Sequence, residues 1–94
     1  MTAVGLLTLD LHIQHAQSLK DKRQVIRSLK DRVRSRFNAA VAEVDHQDSW
    51  QRATVAVVTV SGDRQYVEEA LQKIEEDAAR ILGVDLVSSE LEFL

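Results

Sequence analysis

Histidine, serine and carboxylate side chains are the groups in this 94-residue sequence that could do metal or catalytic chemistry. His12 and His15 are three residues apart, at the end of a predicted strand rather than on a helix. The chain has no Cys, and no clustered carboxylate pair accompanies the two histidines in sequence. Because zinc sites need three or four such ligands, ordinary surface histidines are favoured over a metal site.

A Ser-His-Asp arrangement can be assembled from one polar segment that contains Ser49, His46, Asp45 and Asp48. Nucleophilic catalysis also needs a tight turn under the nucleophile and donors for an oxyanion. The segment has no glycine elbow, and the three glycines of the chain are too scattered to form a phosphate-binding loop. The sequence therefore predicts a protein that is not an enzyme and that holds no metal or cofactor.

Basic residues are concentrated in one part of the chain. Eight of the twelve Lys and Arg residues lie between Lys20 and Arg36, where only Asp21 and Asp31 oppose them, so this segment carries +6. The other 77 residues hold four basic and thirteen acidic residues and carry −9. The whole-chain charge of −3 therefore says little about partners, and the local sign matters more.

The basic segment is predicted to be a helix, on which Ile26, Leu29 and Val33 face the sheet. At about 100° per residue, five cations fall in one continuous arc, which we call the basic ridge. They are Lys20, Arg23, Arg27, Lys30 and Arg34. Lys22 and Arg36 point nearer the sheet, where their stems could cover the core while their charges reach water. Such a ridge is typical of a surface that binds nucleic-acid phosphates. Because runs of charge usually are solvated faces, a solvated helix face, partly neutralised by an acidic second helix, is the favoured interpretation.

Base recognition has less support than phosphate binding. RNA-recognition domains of the stacking kind place aromatic residues on a central strand. The corresponding segment here, Thr54 to Val60, has no aromatic residue. This observation excludes an RNA-recognition motif of that kind.

Hydropathy periodicity predicts the element order β-α-β-β-α-β. Ser18 is placed to cap the first helix, with Asp21 in its first turn. In the second helix, Tyr66 and Ile81 are assigned to the buried stripe and Asp77 to the exposed acidic face. Gly83 is assigned as its stop. The predicted elements are strands at Val4–Ile13, Asn38–Val44, Trp50–Ser61 and Val84–Leu94, and helices at about 18–36 and between Asp63 and Gly83.

This order predicts an α+β, ferredoxin-like fold: a four-stranded antiparallel sheet of order 4-1-3-2 with two helices on one face, in a single domain over residues 1–94. The second strand is an edge without a charge until Glu43, and Val4 and Leu6 add apolar residues to the uncovered face. We therefore expect a homo-oligomer, most simply a dimer, formed through that edge or that face. No membrane span or signal peptide is visible, so a cytoplasmic protein is expected.

The polar loop before the third strand is a second candidate site. Asp48, Trp50 and Gln51 are its candidate partner-binding residues. A Trp beside a polar loop is either an anchor packed beneath the loop or an exposed contact for a partner. The packed anchor is favoured from the sequence. Changing Trp50 to Ala distinguishes the two interpretations, because a packed indole predicts a large loss of stability and an exposed one predicts lost partner binding with unchanged melting.

Several stretches also resemble a known family. Ser18-Leu19-Lys20-Asp21-Lys22-Arg23 resembles the S-L-K-x-K-R opening of the YlxP-like family of small bacterial proteins (domain of unknown function 503). Its second signature is similar to Phe37-Asn38, Val41-Ala42-Glu43-Val44-Asp45 and Asp48-x-Trp50-Gln51. The resemblance covers nearly the whole chain and implies a ferredoxin-like fold. Genes of this family often lie near those for translation factors, which implies ribosomal RNA or the ribosome as a partner. The resemblance implies no catalytic residues.

Overall fold

The computed structural model describes residues 1–94 and contains the six predicted elements in the predicted order. Their antiparallel sheet has the order β2-β3-β1-β4, which is the predicted order 4-1-3-2 counted from the opposite edge. The α+β, ferredoxin-like fold is thereby confirmed. A short 3-10 turn, Gly83–Asp85, precedes the last strand. The elements are β1 (Ala3–His12), α1 (Leu19–Arg36), β2 (Ala40–Asp45), β3 (Arg52–Ser61), α2 (Arg64–Leu82) and β4 (Leu86–Phe93).

Both helices begin at side-chain caps. The Ser18 hydroxyl accepts a hydrogen bond from the Asp21 amide at 3.1 Å, and the Asp21 carboxylate accepts one from the Gln17 amide at 3.0 Å. The first of these bonds satisfies an amide that a helix start leaves unpaired, as the sequence predicted, and the second fixes the residue before the cap. Asp63 caps α2 in the same way through the Gln65 amide. None of the helices combines enough length with enough apolar character to cross a membrane.

The core lies between one face of the sheet and the two helices. Alternate residues of β1 and β3 point into it, because successive side chains of a strand face opposite sides. Its fully buried members include Leu7, Leu9, Val55, Val57 and Leu29. The helices complete it with stripes of apolar residues at helical spacing.

Close contact between α2 and β1 depends on Gly5. A methyl group at this position would lie 2.6 Å from side-chain carbons of Leu71 and Val67. Only a residue without a side chain therefore lets α2 lie this near the sheet. At the other end of α2, Gly83 takes a φ of 56° and stops the helix, as predicted.

Three assignments in α2 are wrong. Tyr66 is 52% exposed and Ile81 is 41% exposed, so neither belongs to the buried stripe. Asp77, assigned to the solvated face, is only 3% exposed. The reason is the neighbouring helix: the arginines of α1 lie over this flank of α2 and cover Asp77 with charged partners.

Candidate nucleic-acid interface

The basic ridge borders a cleft of about 370 Å³ between α1 and β2. Four of its five cations, Arg23, Arg27, Lys30 and Arg34, line the cleft together with Ile26, Asp31 and Glu43. The fifth, Lys20, is exposed at the N-terminal end of the helix. The ridge thus lies along the β2 side of the molecule, where Arg34 also donates a hydrogen bond to the Val41 carbonyl at 3.2 Å.

None of the five ridge cations has a carboxylate oxygen within 4.0 Å, the distance at which the other ion pairs of the chain form. Asp31 and Glu43 line the same cleft without forming ion pairs with the ridge. Lys20, Arg23, Arg27 and Arg34 are all exposed. The ridge consequently presents uncompensated positive charge to solvent.

Neutralisation by the acidic second helix occurs on the other flank of α1. The Asp77 carboxylate, with 4% of its side chain exposed, accepts a hydrogen bond from Arg36 at 2.8 Å and lies 3.8 Å from Arg32. Arg80 of the same helix bonds the other Asp77 oxygen. The carboxylate that α2 contributes therefore neutralises Arg32 and Arg36, and it pairs with none of the ridge cations.

Lys22 is buried rather than snorkelling to water, and the expectation that its charge reaches solvent is wrong. Only 1% of its side chain is exposed, and its ammonium lies 2.9 Å from the Glu43 carboxylate. The same ammonium donates hydrogen bonds to the His46 carbonyl at 2.8 Å and the Arg52 carbonyl at 3.2 Å. A buried charge is tolerated when it is both paired and hydrogen-bonded, and the Lys22 ammonium meets both conditions.

This arrangement ties the β2–β3 loop to the first turns of α1. His46 takes a left-handed φ of 62°, which costs energy for a residue with a side chain. Its carbonyl accepts from Lys22 and from the Ser49 amide, and the Ser49 hydroxyl accepts from the Gln51 and Arg52 amides. The two stretches that carry the family resemblance thus meet at Lys22, and their shared role here is to hold this loop.

Gln51 fastens the same loop to the β1–α1 connection. Its side-chain amide donates to the carbonyls of Gln14 and Ala16 at 3.1 and 3.2 Å, and its oxygen lies 3.3 Å from a ring nitrogen of His12. The side chain of this candidate partner-binding residue is therefore engaged within the chain. Asp48 is exposed at the tip of the loop.

Trp50 is 58% exposed, so the packed anchor that the sequence favoured is wrong. Polar contacts of Lys22, Ser49 and Gln51 hold the loop. Exposure of so large an aromatic side chain is typical of a contact residue for a partner.

Changing Trp50 to Ala is expected to lower the free energy of unfolding by only about 1–2 kcal/mol, against about 3–5 kcal/mol for a Trp packed in a core. The reason is that more than half of the side chain is already in water in the folded state. Chemical denaturation followed by circular dichroism measures the difference. A loss in the range of a core Trp would mean that the indole packs under the loop after all.

The candidate catalytic groups do not converge. His12 contacts Gln51, whereas the His15 ring nitrogen lies 3.9 Å from Asp85. The Ser49 hydroxyl is occupied by two backbone amides of its own loop. No group of three or more His, Cys, Asp or Glu side chains lies close enough together to hold a metal ion.

Two features of the site were missed by reasoning from the sequence. The helical angle placed Lys22 near the sheet, which was the signal that it could be buried, but nothing in the sequence identified Glu43 as its partner. The Asp77 cluster had no such signal, because its partners lie 41 and 45 residues away in sequence on the other helix.

The fold and site define a ferredoxin-like α+β domain whose first helix carries a row of unpaired cations. Residues 4–91 match the family described as "Protein of unknown function (DUF503)", and the chain belongs to that family. It is 35% identical over 71 residues to the "Uncharacterized protein YlxP" of Bacillus subtilis (strain 168), a match that covers 76% of this chain and 77% of that protein. The resemblance that the sequence suggested is confirmed.

Solved structures with the same fold are more distant in sequence. The de novo designed protein Foldit4 superposes with a TM-score of 0.64 at 13% identity, over 100% of this chain and 97% of its own. A C-terminal segment of the alpha subunit of aIF2 from Pyrococcus abyssi superposes with a TM-score of 0.56 at 15% identity, and the match covers 99% of this chain and 49% of that one. A dimeric ferredoxin-like protein of unknown function from Thermobifida fusca superposes with a TM-score of 0.51 at 13% identity, and the match covers 97% of this chain and 90% of that one. These likenesses establish the fold alone.

Proposed function

We propose that this protein is a non-enzymatic, cytoplasmic RNA-binding protein that contacts the phosphate backbone of ribosomal RNA through the basic ridge. The observation that carries the proposal is the contrast between the two flanks of α1. Arg32 and Arg36 are paired with Asp77, whereas the five ridge cations have no carboxylate partner.

The spacing of the ridge suits a backbone ligand. Its cations follow one another every three or four residues, about 4.5–6 Å apart along the axis, and together they span about 21 Å. Arginine forks bind phosphate oxygens in bidentate fashion, and each contact releases condensed counterions. Because β3 has no aromatic residue for stacking, the expected recognition is tolerant of base sequence.

A protein partner with an acidic surface is the second candidate, and the exposure of Trp50 favours it. In that case the ridge supplies attraction, which raises the rate of association, and the indole supplies a buried contact at the interface. The two candidates differ in what nuclease does to the complex.

Co-sedimentation with ribosomal subunits over a salt series tests the proposal. We expect the protein to sediment with a subunit at low salt, to dissociate as salt rises, and to be released by nuclease treatment of the subunits. Binding that withstands nuclease supports the acidic protein partner instead. Absence of binding to subunits and to purified ribosomal RNA at low salt contradicts the RNA proposal.

A further inference from the structure

The sheet face opposite the helices is divided into an apolar part and an acidic margin. Register and alternation place seven apolar side chains from β2, β3 and β1 side by side on it: Val4, Leu6, Ala40, Ala42, Ala56, Val58 and Val60. Glu90 and Glu92 of β4 border this patch, opposite Thr8 and Leu6. Val60 lies beside Val4 at one end of this patch and remains 55% exposed.

The face is large enough for a stable dimer. The strands β1 to β4 contain 10, 6, 10 and 8 residues. At about 3.3 Å per residue and about 4.8 Å between strands, one face has an area of roughly 540 Å². Two such faces together cover roughly 1,100 Å², close to the lower end of the range for specific protein interfaces. A partner that covered only part of the face would fall below that range.

The β2 edge of the sheet is less suited to self-association. Arg34 already occupies the Val41 carbonyl on β2, and this is an acceptor that an added strand would need. Pairing β2 with its copy would also bring two basic ridges side by side, with like charges in proximity. The β4 edge would place Glu90 and Glu92 near their own copies.

We propose that a second copy of this chain packs on the uncovered sheet face, related by a two-fold axis that runs parallel to the strands midway between β3 and β1, so that all four strands of the two sheets overlap. This axis lays apolar patch on apolar patch. It also brings the acidic β4 margin of each copy to the β2 side of the other, which is the basic side of the molecule. A two-fold axis across the strands would instead set the Glu90 and Glu92 row against itself, where like charges repel. The charge distribution thus favours a second copy in one orientation.

The dimer leaves both basic ridges facing solvent, on opposite outer layers. RNA binding by the ridge and association through the sheet face are therefore separate properties. The dimer does not rest on the RNA proposal, and its test requires no RNA.

Sedimentation equilibrium of the full chain tests the inference. We expect a dimeric mass at micromolar concentration, and we expect Val60→Asp to raise the dissociation constant at least about 100-fold, because it places an unpaired carboxylate in an apolar interface. Val84→Asp is the matched control: Val84 is 85% exposed in the turn after α2, and the dimer should be unchanged. A monomeric wild-type protein at about 100 µM, or a dimer indifferent to Val60→Asp, overturns the inference.

Cross-linking tests the orientation without disturbing the fold. The chain has no Cys, so Val60→Cys introduces a single thiol. An axis along the strands brings this position close to its own copy, whereas an axis across the strands carries it to the far end of the sheet. A short bis-maleimide is expected to link Val60→Cys into covalent dimers and to leave Val84→Cys monomeric. A dimer in which Val60→Cys is not linked overturns the proposed packing.

Discussion

Replacing Lys22 by Met is expected to lower the free energy of unfolding by about 3–5 kcal/mol, a large share of the stability of a small domain. Methionine fills most of the volume of the lysine stem but donates no hydrogen bond. The Glu43 carboxylate then loses its counter-ion at 2.9 Å, and the carbonyls of His46 and Arg52 lose a charged donor. The left-handed backbone at His46 loses one of the contacts that hold it.

A second substitution separates the buried ion pair from a general loss of packing. In the double variant Lys22→Met/Glu43→Leu the uncompensated carboxylate is absent, so the loss is expected to be smaller than the sum of the two single losses. Urea denaturation followed by circular dichroism measures all three variants. If Lys22→Met costs less than about 1 kcal/mol, or if the double variant shows strict additivity, the ion pair does not hold the loop in the way described.

Neutralising two ridge cations, as in Arg23→Gln/Arg27→Gln, is expected to weaken RNA binding roughly 10-fold or more at physiological salt. Both side chains are exposed, line the cleft and lack a carboxylate partner, so their loss removes phosphate contacts without removing ion pairs from the fold. Fluorescence anisotropy with a labelled single-stranded RNA measures the change.

The matched control removes two charges from the same helix on the other flank. In Arg32→Gln/Arg36→Gln the formal charge changes by the same amount, but the lost cations were paired with Asp77. Arg80 still bonds that carboxylate. Because distant charges are largely screened at physiological salt, RNA affinity is expected to fall only about 2–3-fold. Thermal denaturation of both variants confirms that they are folded. If the two double variants lower the RNA affinity equally, RNA binding depends on the net charge of the protein and not on the basic ridge.

The elements and their order were predictable because they rest on short-range patterns. The alternation of Leu7, Leu9 and Leu11 with polar residues marks β1, and the Ser18 cap fixes the start of α1. The ridge also follows from sequence, since helical geometry alone decides which cations share a face. These features need no knowledge of what lies across the fold.

The pairing of charges was not predictable because it depends on contacts between residues far apart in the chain. Lys22 meets the His46 carbonyl 24 residues away, and Arg36 meets Asp77 across 41 residues. The position of Asp77 around the helix assigned it to the exposed acidic face of α2, but in the structure α1 covers that side of the helix. Trp50 was misassigned for a related reason: polar side chains fasten its loop, so the indole stays exposed.

The dependence of RNA affinity on salt in the wild-type protein and the two double variants tests the role of the basic ridge most directly. Three to five phosphate contacts predict a slope of log K against log salt concentration of roughly −2 to −4.5 for the wild type. The slope should become shallower by roughly 1.4–1.8 in Arg23→Gln/Arg27→Gln and stay nearly unchanged in Arg32→Gln/Arg36→Gln. A wild-type slope near zero, or the same slope in both variants, would contradict RNA binding through the ridge.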